Sequence, residues 1–180
     1  MALNWTDFAW TFKRWCGLYL LTSRAGASAS QVSVSGVLLQ STTAVGNVGG
    51  GEDDLISLTV PAKVLSANGD RLRVTGIFTF AANANTKTTR GYFGATKVAE
   101  LAASTSGSAV RAVVIITRTA AATQQAWGTI ELTGGSGTLF STPAETLSGT
   151  VAMKFTGQSA ASATDDIIQK EMVIEYLPAP

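Results

Sequence analysis

The apolar positions divide the chain into a leading segment with a helical pattern and a longer part with strand patterns. Five aromatic residues recur at intervals of three and four near the start: Trp5, Phe8, Phe12, Trp15 and Tyr19. This spacing places their side chains on one face of a helix. Phe8, Trp10 and Phe12 also alternate as they would in a strand, but the helical pattern extends further. We therefore predict a short, aromatic-rich helical arm over residues 1–24.

Several interpretations of this arm compete. Asp7, Lys13 and Arg14 interrupt any membrane-spanning stretch, which needs about 20 mostly apolar residues. The apolar run from residue 15 to 21 is short for a secretory signal. The helix could pack on the core of its own domain, or its aromatic face could insert into a partner. Aromatic residues dominate interface energetics, and a buried one contributes about 1.5–3 kcal/mol. We favour an anchor whose partner interface comprises Trp5, Phe8, Trp10, Phe12, Trp15 and Tyr19.

Residues 25–51 have the character of a linker that contains one short strand. Small residues fill positions 25–30, a strand is predicted over residues 31–40, and glycines occupy positions 49–51. The glycine-rich stretch 46–51 lacks both the Lys-Ser/Thr end and the following helix of a phosphate-binding loop. A tight or mobile connection explains it better.

From residue 52 to 180 the dominant period is two, which is typical of strands. Alternating apolar positions in one predicted strand are Leu72, Val74, Gly76, Phe78 and Phe80. Asn68-Gly69 is a strong hairpin signal. Residues 110–118 are β-branched and apolar, which predicts a central strand buried on both faces. Eight or so strands with Gly, Asn and Ser turns predict an all-β fold, an antiparallel jelly-roll-like sandwich.

Composition narrows the possible functions. The chain has 180 residues, no His, a single Cys and a net charge of +1. These facts exclude a Ser-His-Asp triad, His-ligated zinc and an intrachain disulfide, so we expect no enzyme and no cofactor. A near-neutral chain lacks the basic patch of a nucleic-acid binder, and we expect no membrane partner either. Only 14% of residues are charged, so we expect much of the surface to be covered by copies of the chain or by a larger assembly.

Two acidic pairs and four arginines are the remaining candidates for chemistry. Asp53-Asp54 and Asp165-Asp166 each precede a predicted strand, where they could bind a cation or cap a turn. Adjacent strand residues point to opposite faces, so turn capping is favoured over a metal site. Four arginines could form a basic strip across strands, although pairing with carboxylates is preferred: Arg71, Arg73, Arg111 and Arg118.

Short segments in a fixed order resemble a module of tailed-bacteriophage structural proteins. The segments, spread over about residues 45–177, are GGGEDDL (49–55), VPA (60–62), LSANG (65–69), FAANANTKT (80–88), YFG (92–94), KFTGQ (154–158) and DDIIQ (165–169). The resemblance implies a β-sandwich on the virion surface, usually a trimer. Such modules resemble capsid decoration proteins, head fibres and tail-fibre tips alike, and the arm is not part of them.

Two functions are therefore expected to compete. The first is a capsid decoration (cement) protein, a homo-oligomer bound through its arm to other virion proteins, chiefly the major capsid protein. The second is a receptor-binding module of a head or tail fibre, with a glycan or protein site in loops such as 81–86 and 134–137. Polysaccharide cleavage is a minor third possibility, since it would need carboxylates facing each other in a groove.

Overall fold

The computed structural model describes residues 36–104, 108–161 and 163–179, which form strands and loops without a helix. The predicted arm over residues 1–24 lies outside these ranges, so its helix stays a prediction. The eleven strands are β1 (Gly36–Ser41), β2 (Val45–Gly46), β3 (Glu52–Val60), β4 (Arg71–Phe80), β5 (Thr86–Phe93), β6 (Thr96–Ser104), β7 (Ala109–Ala120), β8 (Thr123–Leu132), β9 (Gly135–Ser141), β10 (Val151–Ser159) and β11 (Ile167–Leu177).

Hydrogen bonds join these strands into two antiparallel sheets. The large sheet has the order β1-β11-β4-β7-β8-β9, with β2 also paired to β11, and the small sheet has the order β3-β10-β5-β6. The pairs β5–β6, β4–β7, β3–β10 and β1–β11 are nested in sequence, as in one long hairpin wound across two sheets. That is the jelly-roll arrangement, and the β8–β9 hairpin extends its large sheet. The predicted all-β, antiparallel, jelly-roll-like sandwich is confirmed.

The core lies between the inner faces of the two sheets. In β4 the predicted alternation is confirmed, because Leu72, Val74, Phe78 and Phe80 are all buried. Phe78 of the large sheet meets Phe155 of the small sheet edge to face, with ring centroids 5.2 Å apart. Such a pair adds about 0.5–1.5 kcal/mol to the effect of burial alone. The two sheets are thus joined by packing of apolar side chains.

The structure adds strands that the sequence pattern did not predict. β6 and β9 were missed, and β9 begins within the stretch 134–137 that was expected to be a loop. Part of the predicted strand 31–40 is observed as β1, which pairs with β11, as does β2. Residues 36–46 of the expected linker therefore belong to the large sheet.

The prediction that β7 is buried on both faces is wrong. Val110, Ala112 and Val114 face the core, whereas Val113 and Ile115 on the opposite face are partly exposed. The sandwich has two layers only, so nothing within the described residues covers the outer face of the large sheet. An apolar outer face on a central strand is the pattern of a sheet that packs against a third layer.

Two glycines allow the β8–β9 hairpin to lie against β6. A Cβ atom at Gly128 would come within 2.0 Å of the carbonyl oxygen of Val98, and one at Gly137 within 2.2 Å of that of Glu100. Both obstacles are backbone atoms, which cannot move aside as a flexible side chain can. Glycine is therefore required where this hairpin crosses the edge of the small sheet.

Replacing Gly128 with alanine should lower the free energy of unfolding by about 2 kcal/mol or more, because the added methyl group forces the two sheets apart. Urea unfolding followed by circular dichroism measures the change. Gly49→Ala is the matched control, since nothing lies within 4 Å of a Cβ there, and it should alter stability by less than about 0.5 kcal/mol. Equal stabilities for the two variants would contradict the assigned close approach.

Candidate functional site

The predicted partner interface of the arm, Trp5 to Tyr19, lies outside the described residues, but the point where the arm joins the body is defined. Gly36 starts β1 opposite Tyr176, near the end of β11. At this end of the sandwich Asp70 accepts a hydrogen bond from the backbone nitrogen of Ala179, at 3.0 Å. The segment before residue 36 therefore meets the body at the same end as residue 179.

The loops expected to bind a receptor lie at the opposite end. Phe78 near the end of β4 pairs with Val110 at the start of β7, which in turn pairs with Leu132 at the end of β8. The connections 81–85 and 133–134 consequently leave the sheet at one shared end. Residues 160–161 and 163–166, which follow β10, lie at the same end, because Ala160 donates to the carbonyl oxygen of Thr86.

The two acidic pairs also lie at this loop end, where Asp53, Asp54 and Asp166 each have their own hydrogen-bond donors. Asp53 accepts a hydrogen bond from the backbone nitrogen of Val48 at 2.8 Å, and Asp54 accepts one from Lys154 at 2.6 Å. Asp165 adopts a left-handed backbone with φ of 61°, which Asp tolerates better than most residues. No group of three or more metal-ligating side chains occurs in the described part of the chain.

Asp166 organises a buried polar cluster that ties the loops together. Its carboxylate, 2% exposed, accepts hydrogen bonds from Asn83 at 2.7 Å, Asn85 at 2.8 Å and Ser159 at 2.6 Å. Burial alone would raise the pKa of Asp166, but these hydrogen bonds and the charge of Lys87 lower it below its ordinary value. The ammonium group of Lys87 in turn donates to oxygens of Asn83 and Asn85. The cluster fixes loop 81–85 and has its donors and acceptors paired with one another.

The outer face of the small sheet carries a network of ion pairs. Arg90 donates to Glu52 and Glu100, each at 2.8 Å, and Lys97 also pairs with Glu100. Burial would raise the pKa of Glu52, yet hydrogen bonds from Thr156 and Tyr92 and the charge of Arg90 lower it. The carboxylates are held by cations and hydroxyl groups rather than left to face each other across a groove. This face has the character of a solvated surface.

The outer face of the large sheet is different, because it is crossed by a row of residues that is apolar except for one ion pair. In strand order from β1 to β9 the residues in register are Val37, Glu175, Arg73, Ile115, Trp127 and Phe140. Trp127 is 57% exposed, Phe140 is 55% exposed and Val37 is 57% exposed. Arg73 and Glu175 pair with each other at 3.6 Å. Large apolar side chains in a contiguous exposed group mark interaction surfaces.

The neighbouring rows complete this surface, which we call the outer face. The next row is uncharged and reads Gln40, Val173, Thr75, Val113, Thr129 and Thr138. In the row beyond, Arg111 lies opposite Glu131 on one side and Ile77 on the other, and Ile77 lies opposite Glu171. An uncharged centre is thus bordered by charges of both signs.

The possible basic strip is not formed. Arg71, Arg73 and Arg111 share the outer face, but the strand period turns Arg118 inward, where it donates to the carbonyl oxygen of Leu65 at 3.1 Å. Arg73 pairs with Glu175 at 3.6 Å and Arg111 lies opposite Glu131 in register, so for these two the preferred expectation of pairing with carboxylates fits the geometry better.

Trp127 and Phe140 were not among the site residues predicted from sequence. The alternation of residues could have identified Trp127. Ala126, Gly128 and Ile130 occupy the core-facing positions of β8, which places Trp127 on the opposite face. Phe140 gave no such signal, since β9 was not predicted. Only strand pairing shows that the two aromatic residues are neighbours.

No protein family model matches the chain, and no curated protein is significantly similar to it. Among residues 36–104, 108–161 and 163–179 there is also no helix of the length and apolar character needed to cross a membrane.

Asp166→Asn should lower the free energy of unfolding at pH 7 by about 2 kcal/mol, because an amide cannot accept all the hydrogen bonds and leaves Lys87 less compensated. The folded pKa of Asp166 is lowered, so its contribution is complete above the unfolded value of about 3.9 and is lost as pH falls through the folded value. The difference from the native chain should therefore shrink between about pH 5 and pH 2.

Urea unfolding of both chains across that pH range measures this loss. Asp165→Asn is the adjacent control: its side chain is exposed and asparagine accepts the left-handed backbone, so stability at pH 7 should change by less than about 0.5 kcal/mol. A pH-independent deficit in Asp166→Asn would refute the assigned role of the carboxylate's charge.

Proposed function

We propose that the protein is a non-enzymatic structural protein of a phage virion, a capsid decoration protein held to the shell by its N-terminal arm. The short segments that follow one another in the same order as in tailed-phage structural modules support this proposal. A β-sandwich is also the fold that the resemblance implies. Decoration would work by packing: each copy adds buried surface across a seam between shell proteins. The partners in such a role would be other copies of the chain and the major capsid protein, on the virion surface.

The observation that carries the proposal is the separation of the two ends of the sandwich. Gly36, through which the arm joins, lies beside Tyr176 at one end, while the loops around Asp166 lie at the other. An arm bound to a shell from that position leaves the opposite loops directed outward. This polarity suits a body that is attached at its base.

The energetics of the body also suit attachment by packing. The described residues form ion pairs and polar clusters that are paired internally, whereas Trp127 and Phe140 remain exposed. Apolar surface in contact with water provides association energy of about 25 cal/mol for each Å² that a partner covers. Chemistry performed on a substrate is not needed to explain any of these features.

Deleting residues 1–24 should leave a folded body that no longer associates with phage particles, because the anchoring aromatic residues are removed while the two sheets stay intact. Circular dichroism tests folding, and co-sedimentation with particles that lack the protein tests association. A control that retains the arm but carries Gly49→Ala should bind as the native chain does. Normal incorporation of the deleted chain would refute the anchoring role.

A receptor-binding fibre module is the second candidate, and the convergence of residues 81–85, 133–134, 160–161 and 163–166 at the end opposite the arm favours it. Copy number separates the two candidates. Quantitative mass spectrometry of particles should find hundreds of copies for a decoration protein, whereas a few dozen or fewer would favour the fibre module.

A further inference from the structure

We infer that the outer face of the large sheet is the contact surface between copies of this chain. The inference rests on the proposed function only in that a virion surface protein of this kind is expected to be a homo-oligomer. It adds which surface joins the copies and which residues carry the contact.

The sequence of β7 supplies the first argument. Val113 and Ile115 alternate with the core residues Val110, Ala112 and Val114, so both faces of this strand are apolar. A strand of this kind is stable when layers cover it on both sides. The small sheet covers one side, nothing among the described residues covers the second, and a layer from another copy would do so.

The cross-strand aromatic pair supplies the second argument. Trp127 and Phe140 are direct register partners on the adjacent strands β8 and β9, and Ile115 is the register partner of Trp127 on β7. The three side chains therefore form one continuous apolar area at the β9 side of the outer face. Tryptophan in the middle of such an area is the residue type that most often dominates an interface.

Charge complementarity identifies the partner as a second copy. The outward side chains of the large sheet carry charges of both signs: Arg71, Arg73, Arg111 and Lys170 against Glu131, Glu171 and Glu175. Charges of both signs around an uncharged centre let the cations of one copy face the glutamates of another. An anionic or cationic partner would be matched better by a face of one sign.

The packing geometry is compatible with this assignment. Stacked sheets lie about 10 Å apart, with the side chains of the two faces interdigitating. The rows of Thr75, Val113, Thr129 and Thr138 present short side chains next to the bulky pair of Trp127 and Phe140. Bulky side chains of one copy can therefore lie over short side chains of the next.

Sedimentation equilibrium of the full-length chain from about 1 to about 100 µM tests the inference. The native chain should form a defined oligomer in this range. Trp127→Ser and Phe140→Ser should each raise the dissociation constant about 30-fold or more, the loss expected for a central interface residue. Both side chains are exposed in the monomer, so circular dichroism and melting should show a folded protein.

Val48→Ser is the matched control, because Val48 is an exposed apolar residue at the loop end, away from the outer face. It should leave the dissociation constant unchanged. A charge test adds specificity: Arg111→Glu alone gives both copies an excess of negative charge and should weaken association, whereas Arg111→Glu combined with Glu131→Arg restores the native charge balance and should recover most of it.

Three results would overturn the inference. The first is a native chain that stays monomeric at the highest concentration. The second is an oligomer that the face variants leave intact but deletion of residues 1–24 dissolves, which would place the contact in the arm and leave the proposed attachment standing. The third is a monomer that binds an oligosaccharide on a glycan array through Trp127, which would make the outer face a sugar platform.

Discussion

The close packing of two sheets around Phe155 is the constraint on which the rest of the structure depends. A Cβ atom at Gly76 in the large sheet or at Gly91 in the small sheet would lie 2.9 Å from the ring of Phe155. The ring of Phe155 occupies the space left by the absent side chains of Gly76 and Gly91, and the ring of Phe78 packs against it edge to face. Because the two sheets are held at this distance, strands such as β4 and β7 have one buried face, and the remaining faces must be covered by solvent or by partners.

The two outer faces meet that requirement in different ways. On the small sheet, Arg90 is held between Glu52 and Glu100, and burial, which would lower the pKa of its guanidinium, is outweighed by these carboxylates, which raise it. Exposed pairs of this sort contribute little to stability, about 0–1 kcal/mol each. On the large sheet, Trp127 and Phe140 are exposed apolar side chains that form no ion pairs. One face suits water, and the other suits protein.

Sequence periodicity predicted the sandwich because alternation in strands such as β4 follows directly from which face is buried. It failed where neighbouring positions of a strand do not differ in hydrophobicity. β6 and β9 consist largely of small residues, so Gly137 and Thr138 resemble a turn until the pairing with β8 is known. The polar cluster around Asp166 could not be predicted either. Asn83 lies 83 positions before Asp166 and Ser159 lies 7 positions before it, so only folding brings both side chains to the same carboxylate. The exposed aromatic pair depends on strand register in the same way.

The polar cluster and the outer face are two chemically different parts of a body with few charges. Asp166 and Lys87 rigidify the loop end from within, so that end needs no partner to be ordered. Gly36 marks the opposite end, and the outer face runs along the side between the two ends. The loop end is held by polar contacts within the body, whereas the exposed Trp127 and Phe140 on the side leave apolar surface for packing contacts. Packing contacts of this kind need little charge, because burial of apolar and small side chains, rather than ion pairing, provides the association energy.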